Sequence, residues 1–142
     1  MSSVKYITSN VIGSELVDML SMLPFSALGT RRLCLHDSPQ AKFHVMLIES
    51  KKDQDYPLHA HMDGPELISI ISGELHIEFL DSTCLEPSEN FLLKAGDTSC
   101  AAVLIPQNKF HSTKAQTETA VYLEIKLGPF SRDAIKLLRT DD

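Results

Sequence analysis

From Arg31 to Leu127, apolar and polar residues alternate with a period of two, in short runs separated by turn residues. That period sends successive side chains to opposite faces of an extended chain and predicts strands half-buried against a core. Arg31–Leu35 reads as a first short strand, and Phe43–Ile48 as one with both faces largely apolar. Leu67–Ile71 and Glu74–Leu80 follow, the second setting Leu75, Ile77 and Phe79 against Glu74, His76 and Glu78. Phe91–Leu93, Ala101–Ile105 and Val121–Leu127 complete the series, and in the last Val121, Leu123 and Ile125 oppose Tyr122, Glu124 and Lys126. Ser38-Pro39, Lys51–Asp55, Ser72-Gly73, Asp81–Asn90 and Ala95–Asp97 are the breaks between runs. Short strands with turns roughly every eight to twelve residues predict an all-β sandwich or barrel.

The flanks follow a different period. Leu16, Met19, Leu20 and Leu23 recur at helical spacing within Gly13–Leu23, with Ser9-Asn10 as candidate cap and Pro24 and Gly29 as stop signals. After Gly128-Pro129, Arg132–Leu138 reads as a short amphipathic helix. The expected organisation is a helical segment over 1–30, a barrel over 31–130, and a short helix and tail over 131–142. The first segment would cover a flank or mouth of the barrel, or act as a dimer-forming arm.

At 142 residues the chain is long enough for one domain with a core of its own. Its formal charge of −6 argues against nucleic acid and against an anionic membrane surface, both of which attract clustered Lys and Arg. Cys34, Cys84 and Cys100 are odd in number and widely spaced, which fits reduced thiols better than a disulfide framework. With neither a leader-like nor a membrane-spanning run, a cytoplasmic location is the expectation.

The candidate chemistry gathers in Pro57–Gly73, PLHAHMDGPELISIISG. His59 and His61, two apart on a strand, face the same way and can reach one ion. Glu66 follows at an odd offset, but Met62-Asp63-Gly64-Pro65 is turn chemistry that lets the chain reverse and bring it back. His111, in IPQNKFH, is a fourth candidate ligand. Three imidazoles and a carboxylate suit one divalent ion such as zinc, iron, nickel or manganese. His44, in an apolar strand, reads either as a substrate contact inside the barrel or as a satisfied core histidine. His76 reads as part of a solvated face, and His36 as a turn residue. Tyr122, Glu124 and Lys126 share one face. If it points inward they are candidate catalytic groups beside the metal, and if outward a solvated stripe. Arg31 and Arg32 could hold an anion through their guanidinium forks, although a charged strand edge is the preferred reading.

These stretches resemble the cupin superfamily. His59, His61, Glu66 and Gly73 match its first motif, G-x5-H-x-H-x3,4-E-x6-G, without the leading glycine, and Pro106 and His111 match the proline and histidine of its second. In that second motif Cys100 and Asn108 stand at glycine positions and Ala115 at an asparagine position. Within the superfamily the chain is similar to the WbuC-type cupin-fold metalloproteins, through LCLHDSP, HAHMDGPE, IPQNKFHS and YLEIKLGPF. The resemblance implies a double-stranded β-helix (jelly-roll barrel) with His59, His61, Glu66 and His111 as metal ligands at its centre. It also implies an association with surface polysaccharides and a homodimer, and the positions such a set leaves free on an octahedral ion suit a small oxygen-bearing molecule, carbohydrate-derived or a keto acid. A metal-dependent isomerase or epimerase, an iron-dependent dioxygenase and a non-catalytic ligand-binding or sensor module all remain open at this point.

Overall fold

The computed structural model describes residues 1–54, 58–81 and 87–137. Its strands are β1 Val4–Tyr6, β2 Thr30–Cys34, β3 Phe43–Lys51, β4 His59–His61, β5 Glu66–Ser72, β6 Glu74–Leu80, β7 Pro87–Lys94, β8 Ala102–Ile105, β9 Phe110–Ala115, β10 Thr119–Leu127 and β11 Ile135–Leu137. One helix, α1, spans Ser14–Ser21. The strands form two sheets, ordered β1-β2-β3-β10-β5-β8 and β11-β4-β9-β6-β7. Apart from the parallel β1–β2 pair, the ladders are antiparallel. The architecture is an all-β jelly roll.

Alternation along the strands decides what fills the interior. Met46, Ile48, Ile68, Leu75, Ile77, Leu93 and Ile105 pack between the sheets in one buried cluster. The other face of β3 is apolar for a separate reason: Leu47, with Leu33 and Val121, packs beneath Leu16 and Leu20 of α1. The helix therefore covers the outside of the first sheet, and β3 is buried on both sides. Arg31 fixes the end of that helix. Its guanidinium donates to the carbonyls of Ser21 and Leu23 at 3.0 and 2.7 Å, pairs with Glu49 at 2.6 Å and lies 3.9 Å from the centre of the Phe25 ring.

Three expectations are corrected. Arg132–Leu138 is not a helix: Arg132–Ala134 is a single 3-10 turn, and Ile135–Leu137 extends as β11 along β4. The hydrogen bonds offered by the free edge of β4 outweigh the local helical pattern, and Leu138 lies outside the described residues. The Asp81–Asn90 loop is shorter than expected, because β7 starts at Pro87 and continues the ladder with β6. The helix is capped at Gly13, with no side-chain hydrogen bond, rather than at Ser9-Asn10. β1 had no counterpart in the sequence reading. Cys84 and Tyr56 lie outside the described residues.

Candidate metal centre

β4 and β9 lie side by side with His59 directly opposite His111, and His61 shares the face of His59. The ring centroids of His59 lie 5.0 Å from those of His61 and 4.5 Å from those of His111. One nitrogen from each of the three imidazoles falls within 4.8 Å of the others, a group that could hold a metal ion. The register of β9 is set by the turn before it. Asn108 adopts φ 67°, a left-handed conformation that asparagine tolerates better than most residues, and its N–H donates to the carbonyl of His61 at 2.8 Å. Gln107 Nε2 donates to the carbonyl of Met62 at 2.6 Å. The turn is thus bonded to the histidine strand it serves.

Glu66 enters from the opposite sheet, at the start of β5. Its Oε2 lies 2.6 Å from His61 Nε2. His111 Nε2 has no hydrogen-bond partner among the described residues, and His61 Nε2 and Glu66 Oε2 have no polar contact there beyond each other, although all three are buried. Buried polar atoms without a full set of partners are costly, and a cation between the histidines would satisfy His61 Nε2 and His111 Nε2. Glu66 touches this group at His61 but lies outside the set of three whose ligand atoms all fall within 4.8 Å of one another. The donor set of imidazole nitrogens and a carboxylate oxygen suits a first-row divalent ion. His111 is also oriented for ligation: its Nδ1 lies 3.0 Å from the carbonyl of Lys109, and donating there leaves the Nε2 lone pair for the ion.

The face of β10 that carries Tyr122, Glu124 and Lys126 points inward. Register decides it, because Lys126 pairs with Glu66, Glu124 with Ile68 and Tyr122 with Ile70. All three side chains line a cavity of about 150 Å³ together with the three histidines and Glu66. Lys126 Nζ lies 3.8 Å from Glu124 Oε1, and Tyr122 is hydrogen-bonded to the fully buried Ser50 at 2.8 Å.

Burial dominates the electrostatics. It pushes the Glu66 carboxyl up against the opposing charges of Lys126, His59 and Arg32. It pushes Glu124 up as well, and the negative charge of Glu66 adds to the effect. Burial lowers His61, with Lys126 adding to it, and takes His111 down to about 3, with His59 contributing. Both imidazoles are therefore neutral at physiological pH, the form that ligates a metal.

His44 is 3% exposed and stacks on His36, with ring centroids 4.0 Å apart and planes within 9° of parallel. It faces the interior and does not stand alone. His36, read from the sequence as a turn residue, is buried, and Arg32, read as a strand edge, lines the cavity. Parity was the available signal for both, since Arg32, Cys34 and His36 fall two apart and so share a face. His76 lies on the outside, its Nε2 3.0 Å from Asn90 Oδ1.

No protein-family model and no curated protein matches the chain. Solved structures do. The chain is similar to KdgF from a Halomonas species, with 16% identity over 74% of this chain and 84% of that one and a TM-score of 0.55. It is also similar to the oxalate decarboxylase of Lactobacillus farciminis in complex with formate, at 18% identity and a TM-score of 0.60. There the match covers 84% of this chain and 34% of that one, so the chain spans about a third of that enzyme's length. The iron(II) form of HppE matches 68% of this chain and 49% of its own length, at 20% identity and a TM-score of 0.52. Among the described residues no helix is long and apolar enough to cross a membrane. Sheet order, the inward histidine group and these similarities agree on one conclusion: the chain has the cupin fold.

Proposed function

We propose that the protein is a small metal-dependent enzyme in which His59, His61 and His111, with Glu66, hold one divalent ion. The observation that carries this reading is the convergence of the ligand atoms of His59, His61 and His111 within 4.8 Å of one another, with Glu66 against His61, in one cavity. When bound, such an ion supplies Lewis acidity toward an oxygen-bearing small molecule. The chain itself supplies groups that can hold or move a proton. Glu124, whose carboxyl is held above its usual range by burial, and Lys126 beside it suit proton transfer to or from a ligand in the cavity. Tyr122 is a third candidate, anchored through Ser50. Isomerisation or epimerisation of a carbohydrate-derived or keto-acid molecule fits this set of groups. The finer resemblance, to the WbuC-type proteins of surface-polysaccharide gene clusters, belongs to the same proposal. So do a cytoplasmic location and a homodimer paired through a sheet edge, for which the edge strand β8 presents Leu104 at 63% exposure. Iron would favour dioxygen chemistry instead, a reading that the similarity to iron(II) HppE supports.

Elemental analysis of untagged protein purified without chelator tests the metal reading. Close to one ion per chain is expected in the wild type, and none in His61→Ala. Glu66 reaches the histidine group through His61, and Glu66→Gln is expected to weaken metal affinity roughly 10–100-fold rather than abolish it. No ion in the wild type, and none taken up on titration with zinc, nickel, manganese or iron, sinks the proposal. The protein would then be a ligand-binding module without metal.

A further inference from the structure

A second cavity, of about 250 Å³, adjoins the metal-binding one and shares Arg32, Lys126 and Phe130 with it. We propose that it is an oxyanion subsite, so that the protein's ligand is a small acid whose carboxylate or phosphate sits beside Arg32, Lys126, His36 and His44. The proposal rests on the metal reading for the far end of the ligand only.

Register connects the two chambers. Along one cross-strand row of the first sheet, Glu66 on β5 pairs with Lys126 on β10, and Lys126 pairs with His44 on β3. His36 then stacks on His44. A ligand lying along this row would have one end at Glu66 and the histidine group and the other end against the stacked imidazoles. Chain geometry keeps that end in place. Gly128 has no Cβ, and one there would collide with the His44 ring and the carbonyl of Ala41.

Charge assigns the occupant. The residues lining the second cavity include two basic side chains, Arg32 and Lys126, and no carboxylate among the described residues. The carboxylates that face these two side chains, Glu66 and Glu124, line the first cavity and not the second. A guanidinium fork and an ammonium are the groups that bind carboxylate and phosphate. Val4, Met46 and Phe130 give the remaining wall an apolar character, which suits a short carbon frame between the charged ends. His36 and His44 each bring an imidazole to the chamber, and Nε2 of His44 is buried with no hydrogen-bond partner among the described residues.

Imidazole proton–nitrogen correlation spectra of the full chain, titrated with sodium phosphate and separately with sodium acetate, test this. Sodium chloride at equal ionic strength is the control. Saturable shifts in the His36 and His44 signals are expected with one anion or both, and the responding anion names the group. Arg32→Gln is expected to weaken the response at least tenfold, and Arg32→Lys, which keeps the charge but loses the fork, to weaken it less. Shifts no larger than with chloride, or undiminished in a folded Arg32→Gln, overturn the proposal. The two readings fail separately. Anion-dependent shifts that persist in a protein unable to take up metal leave the oxyanion subsite standing and remove the metal reading. Metal uptake without those shifts does the reverse.

Discussion

His36 shows how a single buried side chain acquires a measurable signature. Val45 N–H donates to its Nδ1 at 3.2 Å, the His44 ring stacks on one face, and the Tyr6 ring meets it edge-on at 5.6 Å. Burial depresses its pKa, His44 and Lys126 depress it further, and the contact of Nδ1 with the Val45 carbonyl, at 3.3 Å, and Asp37 oppose the shift. The folded protein therefore binds this proton less readily than the unfolded chain, in which histidine titrates near about 6.5. The stability associated with neutral His36 is complete above that value and is lost as pH falls below it. Lowering the pH from about 7.5 to about 5.5 is expected to reduce the melting temperature, with one histidine contributing at most about 1.4 kcal/mol per pH unit. Histidines 61 and 111 contribute with the same sign in protein without metal. The informative quantity is thus the difference from His36→Gln, which should show a shallower dependence in the same buffers. Equal slopes would mean that burial of this imidazole has no thermodynamic consequence.

At the scale of elements, legibility followed how local each cause was. The histidine strand, its turn, and β5, β6 and β10 were readable because one buried face leaves an alternation in the sequence. The β3 pattern was readable as doubly apolar, but not its reason, which is that α1 lies outside it on Leu47. β1 and β11, three residues each, carry no pattern of their own and exist because a neighbouring strand offers an edge. Helical spacing in Arg132–Leu138 was misleading for that reason. Which way Tyr122, Glu124 and Lys126 point was undecidable from one strand and is settled by pairing with β5. The bend at Gly73, where the chain passes from β5 in one sheet to β6 in the other, gives the sharpest test at this scale. Gly73 sits at φ +75°, and a Cβ there would meet Thr117 Oγ1 at 2.5 Å and the carbonyl of Thr119 at 2.6 Å. Gly73→Ala is expected to destabilise by at least about 1–3 kcal/mol from the backbone conformation alone, with the contact adding to it. Urea denaturation should show a lower midpoint with an unchanged slope. An unchanged midpoint would mean that the bend relaxes into a conformation this structure does not contain.

At the scale of the whole molecule, the proposed metal centre sits where the two sheets meet. His59, His61 and His111 come from β4 and β9 of one sheet, and Glu66 comes from β5 of the other. An ion bound by both would join sheets that otherwise adhere through apolar packing. It would also give His111 Nε2, buried with no hydrogen-bond partner among the described residues, a partner. Because the unfolded chain does not present these residues together, binding should stabilise the fold by mass action, by about 2.7 kcal/mol at a free concentration one hundred times Kd. In a chain of this length that corresponds to a rise in melting temperature of roughly 5–10 °C. Scanning calorimetry of chelator-treated protein, repeated with added zinc, manganese or nickel, should show the rise in the wild type. The same scans should show little of it in His111→Ala, which lacks one donor. Leu20→Ala separates this from general weakening. It removes a fully buried side chain of α1, at a cost of about 2–5 kcal/mol, and leaves the donors intact, so its lower melting temperature should still rise with metal. A metal-dependent rise of the same size in His111→Ala would place the ion elsewhere on the protein. No rise in any of the three proteins would mean that the sheets are held by their apolar core alone.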